Sequence, residues 1–286
     1  MIGLNIGGVP EHFNYPWRLA IEEGRLKNIG LDMHWSDMSG GTGQMTRGLE
    51  SGTIDIAVLL TEGITKAVLE GLDVKILQVY VTSPLHWGIH VPFKSDIQKV
   101  SQLENQTFAI SRVGSGSQLM AYVKADQEGW DISKLKFNVI GDVYGGLWAL
   151  ENNEAQAFLW EKYTTSPFCH QEKCRYIDEV VTPWPCFVIA VRNEVYEKHA
   201  DLLNQMCQVI NTTAEEVKAN PETANSISWR YNLPIEQTKS WLSEVDWNYK
   251  GETFPAAFEE VVKYLLKLNL IDERQSQDWN SKLFIQ

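Results

Sequence analysis

The chain has 286 residues, 44% of them hydrophobic and 22% charged, and a formal net charge of −12. Domains run to roughly 100–200 residues, so one large or two modest domains are expected, and nothing in the composition points to disorder. The acidic balance argues against a nucleic-acid partner, which needs basic surface to displace phosphate counterions, and against an anionic membrane.

In chain order, Ile2–Gly8 reads as a strand. Asn14-Tyr15-Pro16 opens a helix, with Pro16 near the first turn where a missing N–H costs little, and Gly30 ends it. Residues 31–36 form a second strand. Ser39-Gly40-Gly41-Thr42-Gly43 is a glycine-rich turn into a helix through Leu49. Residues 53–60 carry the apolar run of a buried parallel strand, 61–71 a helix and 74–81 another strand. Residues 85–91 are an extended crossing into a second unit: strand 107–110, helix 114–127, strand 137–140, helix 144–152, strand 157–160. Residues 186–191 cross back, and 193–283 read as helices punctuated by Pro221, Pro234 and Pro255. Alternating strands and helices predict parallel α/β architecture. Two crossings between two such units predict a two-lobed α/β fold with a double hinge and a helical C-terminal region. Lobe one is expected at about 1–85 plus 190–286, and lobe two at about 86–189.

The units echo each other. Ser51-Gly52-Thr53-Ile54-Asp55-Ile56-Ala57 leads to Thr61-Glu62, and Asn152-Asn153-Glu154-Ala155-Gln156-Ala157 leads to Trp160-Glu161. Ligands of open parallel sheets bind beyond the strands' carboxyl ends, so Glu62 and Glu161 are expected across one cleft. They would bind amine or ring N–H groups. The alternatives are helix-start carboxylates stabilised by the dipole, and a general acid and base, for which no complementary nucleophile stands out.

Ser111-Arg112-Val113-Gly114-Ser115-Gly116-Ser117 follows a strand and opens a helix, which suits a carboxylate, sulfonate or phosphate. It is neither a Walker loop nor a dinucleotide fingerprint; a plain capped helix is the alternative. Gly41 and Thr42 offer the same device in the first unit, weighed against a plain turn. Glu11 and His12 follow the first strand, where a surface loop is the alternative; Ser83 and Pro84 begin the first crossing. Trp160 and Trp184, with Trp87, are stacking candidates, though a Trp is more often core. The four cysteines, Cys169, Cys174, Cys186 and Cys207, do not match a zinc pattern and are expected as thiols, with no metal and no cofactor.

These blocks carry a family resemblance. Gly52-Thr53-Ile54-Asp55-Ile56-Ala57, the 40–43 turn and the two crossings resemble the type II periplasmic-binding-protein superfamily. Its nitrate/sulfonate/taurine and thiamine-pyrimidine-precursor families are the nearest branches. A closer match is a small leaderless fungal and bacterial group of this fold with no settled ligand. The matching blocks are Val9-Pro10-Glu11-His12-Phe13, Leu60-Thr61-Glu62, Ser83-Pro84-Leu85, Ile110-Ser111-Arg112 with 114–117, Phe158-Leu159-Trp160-Glu161 and Thr182-Pro183-Trp184. The resemblance implies a Venus-flytrap fold with these blocks around the cleft. The cysteine-rich motif of the thiamine-pyrimidine synthases is missing.

The expected function is solute binding or sensing of a small bipolar organic ligand, in the manner of a transporter's substrate-binding protein, without catalysis. The alternative is a biosynthetic enzyme on the same scaffold, of thiamine-pyrimidine or menaquinone-pathway type. A partner-binding module is a third. No sequence feature supports a transporter partner. There is no apolar run of roughly 18 residues for a membrane span and no leader-like start. A cytoplasmic location is therefore expected if Met1 is the native start, and a periplasmic one if a leader was removed.

Overall fold

In a computed structural model, described over residues 1–285, the chain divides into two compact units. Unit one holds Met1–Pro84, Pro183–Ile227 and Leu242–Gln286; unit two holds Leu85–Thr182 and Ser228–Trp241. Against the expected lobes, residues 183–189 fall in unit one and the helical stretch Ser228–Trp241 groups with unit two.

Unit one begins β1 (Ile2–Gly8), α1 (Tyr15–Glu22), α2 (Arg25–Asn28), β2 (Leu31–Asp37), α3 (Gly41–Ser51), β3 (Ile56–Leu60), α4 (Thr61–Leu69) and β4 (Val74–Val81). Unit two follows with β5 (His86–Pro92), β6 (Thr107–Ile110), α5 (Gly116–Gln127), β7 (Lys136–Val139), α6 (Val143–Glu151), β8 (Ala157–Glu161), α7 (Lys162–His170) and β9 (Cys174–Val181). The chain continues through β10 (Phe187–Arg192) and the helices α8 (Asn193–Ala219), α9 (Thr223–Tyr231), α10 (Ile235–Glu244), α11 (Pro255–Lys267), α12 (Glu273–Ser276) and α13 (Trp279–Leu283).

Each unit is built on one five-stranded sheet, ordered β2-β1-β3-β10-β4 in unit one and β7-β6-β8-β5-β9 in unit two. The sheets are mixed, which corrects the all-parallel expectation. β10 runs antiparallel to β3 and β4, and β5 antiparallel to β8 and β9. Parallel neighbours need a crossover element between them; the two crossing strands arrive without one and enter against their neighbours' direction.

The predicted helix through residues 14–28 is broken at Gly24, which adopts φ 69°. The glycine run at 40–43 opens on a turn, the Gly41 amide donating to the Met38 carbonyl at 2.9 Å, and continues as the first residues of α3. The strand expected from residue 53 starts at Ile56, because the residues before it serve as a clasp. Gly52 ends α3 at φ 72°. Asp55 then accepts the Asn5 amide on Oδ2 at 2.8 Å, while its own amide donates to the Asn5 carbonyl at 2.8 Å. Unit two repeats the clasp with other residues. Asn153 takes the left-handed turn at φ 57°, the Thr107 amide donates to Gln156 Oε1 at 3.2 Å, and the Gln156 amide returns a bond to the Thr107 carbonyl at 2.8 Å.

Burial of β3 along almost its whole length fits a strand covered on both faces. On one side of it Met45, Leu49, Ile64, Val68 and Phe258 pack with Ile76 and Val188. In unit two Leu147, Ala149 and Leu150 of α6 pack on Ala109 and Phe158. Gly146 permits that approach, since a Cβ there would stand 2.5 Å from the Phe158 ring.

Candidate functional site

The strand directions gather the sequence-predicted residues of each unit at one sheet edge. In unit one the carboxyl ends of β1, β3 and β4 share an edge with the start of β10, since Phe187 is level with both Leu60 and Val81. Glu11 and His12 follow β1, Gly41 and Thr42 follow β2, Thr61 and Glu62 follow β3, and Ser83 and Pro84 follow β4, while Trp184 precedes β10.

Glu62 is the second residue of α4 and is 1% exposed. Its Oε2 accepts the Trp184 indole N–H at 2.9 Å. Its Oε1 is buried with no hydrogen-bond partner among the described residues. Burial raises this carboxyl to about 7; a backbone hydrogen bond and the indole N–H pull the other way and lose. Trp184 is itself buried, edge-on to Tyr264 at 5.5 Å. Around this pair the backbone is tightly held. The Thr61 hydroxyl donates to the Pro185 carbonyl at 2.6 Å, and the Leu60 amide to Thr42 Oγ1 at 3.3 Å. Gly63 lets α3 and α4 meet there, because a Cβ would lie 2.5 Å from the Thr42 methyl.

His12 is buried and stacked on Phe13, whose ring lies 5.0 Å from Phe187. Burial lowers its imidazole to about 3, so it is neutral near pH 7 and is no cation for an anionic ligand. Glu11 and Gly41 are half-buried, and Gly41 adopts φ 63°. Ser83 Oγ accepts the Asp246 amide at 3.1 Å, and Pro84 is exposed.

In unit two the carboxyl ends of β6 and β8 carry residues 111–117 and Trp160-Glu161. Ser115 caps α5, its hydroxyl accepting the Gln118 amide at 3.3 Å. Ser117 Oγ lies 2.9 Å from Ser115 Oγ and accepts the Ser111 amide at 3.0 Å. Gly114 turns at φ 76° with its amide on Gln118 Oε1 at 2.6 Å. The loop is therefore organised largely by its own bonds. The Gly116 and Ser117 amides stand at the first two helical positions, ahead of any intrahelical acceptor. Arg112 beside them is half-buried.

The two glutamates are not equivalent. Glu161 lies five residues after the clasp residue Gln156, whereas Glu62 lies seven after Asp55. That offset makes Glu161 the N-cap of α7. It accepts the Tyr163 amide at 3.1 Å, the Thr164 amide at 2.6 Å and the Thr164 hydroxyl at 2.7 Å. Burial raises its carboxyl, against those donors. Glu161→Ala should cost about 1–2 kcal/mol through the lost cap, read as an earlier urea midpoint; an unchanged midpoint would show that the cap holds nothing. Trp160 is half-buried against the core, stacked on Phe158 at 5.4 Å, and Trp87 is buried in β5.

Sequence reasoning missed a charged group at the same edge. Glu179 lies 3.2 Å from His86 Nδ1 and 3.1 Å from Lys162 Nζ, and accepts the Tyr176 hydroxyl at 3.1 Å. Burial works against the Glu179 carboxylate, but hydrogen bonds from Lys162 and His86 win and lower its pKa. These residues are scattered along the sequence, and only the pairing of β5 with both β8 and β9 unites them.

Among the described residues, no group of three or more His, Cys, Asp or Glu side chains is placed to hold a metal ion, and no helix is long and apolar enough to cross a membrane.

The fold has close counterparts. The Candida albicans CA3427 protein, described as defining a family with the generic periplasmic-binding-protein fold, superposes with a TM-score of 0.90 over 100% of this chain and 98% of its own, at 24% identity. The chain has the type II periplasmic-binding-protein fold. A family described as Ca3427-like PBP matches residues 87–180, the greater part of unit two. The alkanesulfonate-binding protein SsuA of Xanthomonas axonopodis, bound to MOPS, shares this periplasmic-binding-protein fold with a TM-score of 0.78, 14% identity and 95% coverage of both chains. SsuA of Escherichia coli, an aliphatic-sulphonate-binding protein, gives 0.75 at 16% identity, covering 99% of this chain and 98% of its own. No curated protein sequence matches.

Proposed function

We propose that the protein binds a small organic ligand with an anionic end and an N–H-bearing portion, and that Glu62, at the carboxyl edge of unit one's sheet, takes the N–H group. The observation that carries this reading is Glu62: a carboxyl 1% exposed, with one oxygen held by Trp184 and the other without a partner among the described residues. An orphaned buried acceptor costs about 1–3 kcal/mol, and a ligand N–H group would remove that cost. Within unit two, the amides that open α5, with Ser111 and Arg112 nearby, are of a kind that suits an anion. MOPS, bound by the Xanthomonas relative, unites a sulfonate and a ring amine in one molecule and gives the proposed chemistry a precedent in this fold.

The test is calorimetric titration with three probes: an aminoalkanesulfonate, the alkanesulfonate of equal length, and inorganic sulfate. The aminoalkanesulfonate should bind at least about tenfold tighter than either other probe, a difference of about 1.4 kcal/mol. Sulfate binding as tightly as the aminosulfonate would overturn the bipolar ligand. Native mass spectrometry of the purified protein identifies any ligand carried through purification and extends the probe set. A catalytic reading draws on the same residue, because a carboxyl raised to about 7 is poised for general acid–base work. Chemical conversion of a bound probe would favour it.

A further inference from the structure

At the other edge of unit two's sheet, away from Glu161 and residues 111–117, two sulfurs face each other. Cys169 lies in the last turn of α7 and Cys174 opens β9, and their Sγ atoms are 3.4 Å apart. The turn between them is fixed by the backbone. Glu172 takes φ 59°, its amide donates to the Cys169 carbonyl at 3.1 Å, and the Lys173 amide donates to the Phe168 carbonyl at 3.0 Å. A disulfide needs about 2.05 Å, so closure requires about 1.4 Å of approach, which is within reach of side-chain rotation.

The surroundings of the two sulfurs differ. Cys174 is 1% exposed, whereas Cys169 is half-buried and meets the His90 imidazole of β5 and the Tyr176 amide of β9. A thiolate in the last turn of a helix is disfavoured by the helix dipole, so its stabilisation has to come from these neighbours. The hydrogen bond from Cys174, helped by His90 and the Tyr176 amide, pushes Cys169 down to about 5 against its partial burial. The same bond, together with burial, pushes Cys174 up. One sulfur is thus prepared to attack and the other to resolve.

We propose that Cys169 and Cys174 are a redox-active dithiol that closes reversibly to a disulfide by exchange with a low-molecular-weight disulfide, Cys169 attacking first. With oxidised glutathione, the Cys169 thiolate attacks one sulfur, forms a mixed disulfide and expels one glutathione thiolate. Cys174 then gives up its proton and attacks the Cys169 sulfur, expelling the second glutathione. The two cysteines lose two electrons and two protons, and the two glutathione sulfurs take them up. The bond would tie the end of α7 to the start of β9, on the helix whose first turn Glu161 caps.

All four cysteines of the chain are thiols, so Cys186 and Cys207, buried in unit one, serve as internal references. The full chain is incubated with oxidised glutathione, acid-quenched, alkylated and weighed intact. The expected result is loss of two of the four thiols with no glutathione retained, a 169–174 link in the peptide map, and return to four thiols in reduced glutathione. Cys174→Ser should accumulate one glutathione on Cys169. Cys169→Ser should react at least about tenfold more slowly, since the attacking thiolate is gone. Three outcomes overturn the proposal: four thiols persisting in the parent, a glutathione adduct retained on parent Cys169, or equal rates in the two serine variants. The parent measurement needs no substitution and stands even if a variant fails to fold.

Discussion

Between about pH 4.5 and pH 8, Glu62→Gln should gain about 3 kcal/mol of stability relative to the parent in urea unfolding. The Glu62 carboxyl sits at about 7 in the folded protein against 4.5 for an ordinary glutamate, and burial is the main cause. Those 2.5 units, at about 1.36 kcal/mol each, set the size of the effect. Below the lower value both states of the parent are protonated and burial carries no charge penalty. As pH rises to 7 the unfolded chain ionises first, the folded state binds the extra proton, and stability falls. Above 7 the folded protein holds an ionised, half-paired carboxylate and the full penalty is present. Glutamine stays neutral throughout. Any cost of the glutamine amide itself is the same at both pH values and cancels, as does the contribution of Glu161, present in both proteins. A difference between the proteins that stays flat across the window would show Glu62 ionising like a surface glutamate, and would remove the observation on which the proposed site rests.

How far the sequence was legible follows the physics of each signal. The β3 run of Ile56, Ala57, Val58, Leu59 and Leu60 reads as a covered strand because an interior strand has no solvent face to force alternation. β9, of sequence CRYIDEVV, carries no clear strand pattern because an edge strand keeps polar and charged residues that blur it. The glycine at residue 24 breaks the first helix and is the only local mark of the break, since its neighbours are ordinary helix formers and a second glycine at residue 30 offers an equal stop. The echo between Asp55 and Gln156 was visible, but its meaning was not. Asp55 clasps β1 and Gln156 clasps β6, and only the hydrogen bonds to Asn5 and Thr107 reveal that.

The site divides the same way. Strand–helix alternation alone carries Glu62 and residues 111–117 to sheet edges, because a residue after a parallel strand has nowhere else to go, whereas Trp184 reaches the edge of Glu62 because the antiparallel β10 starts there. What each side chain does there depends on an offset of two residues. Counted from the clasp, Glu161 falls on a helix cap and its oxygens are used by the backbone of α7, while Glu62 falls two residues deeper, at the second helical position, and keeps an oxygen unused. No periodicity distinguishes a capping glutamate from a binding one. The His86–Glu179–Lys162 group was invisible for a different reason: its members meet only through antiparallel pairing of strands distant in sequence.

Binding of an aminoalkanesulfonate should release close to one proton per ligand at about pH 6 and almost none above about pH 8, with Kd rising about tenfold for each pH unit below 7. At about pH 6 a carboxyl of pKa about 7 is protonated in roughly nine molecules of ten. An ammonium or N–H donor uses the carboxylate form, so its arrival displaces the proton. The ligand's own ammonium stays charged over this range, as amines of ordinary pKa do. His12, lowered to about 3 by burial, stays neutral and contributes nothing to the linkage. Titration at each pH in two buffers of different ionisation enthalpy counts the protons directly, and Glu62→Gln should abolish the count along with most of the affinity. The sign discriminates between ligand classes. A ligand that accepts a hydrogen bond from protonated Glu62 would bind best below pH 7 and take up a proton above it, which would reverse the assignment of the N–H-bearing end. A proton count of zero at every pH, with affinity unchanged in the glutamine variant, would place the ligand away from Glu62 and leave the buried carboxyl as an unexplained cost to the fold.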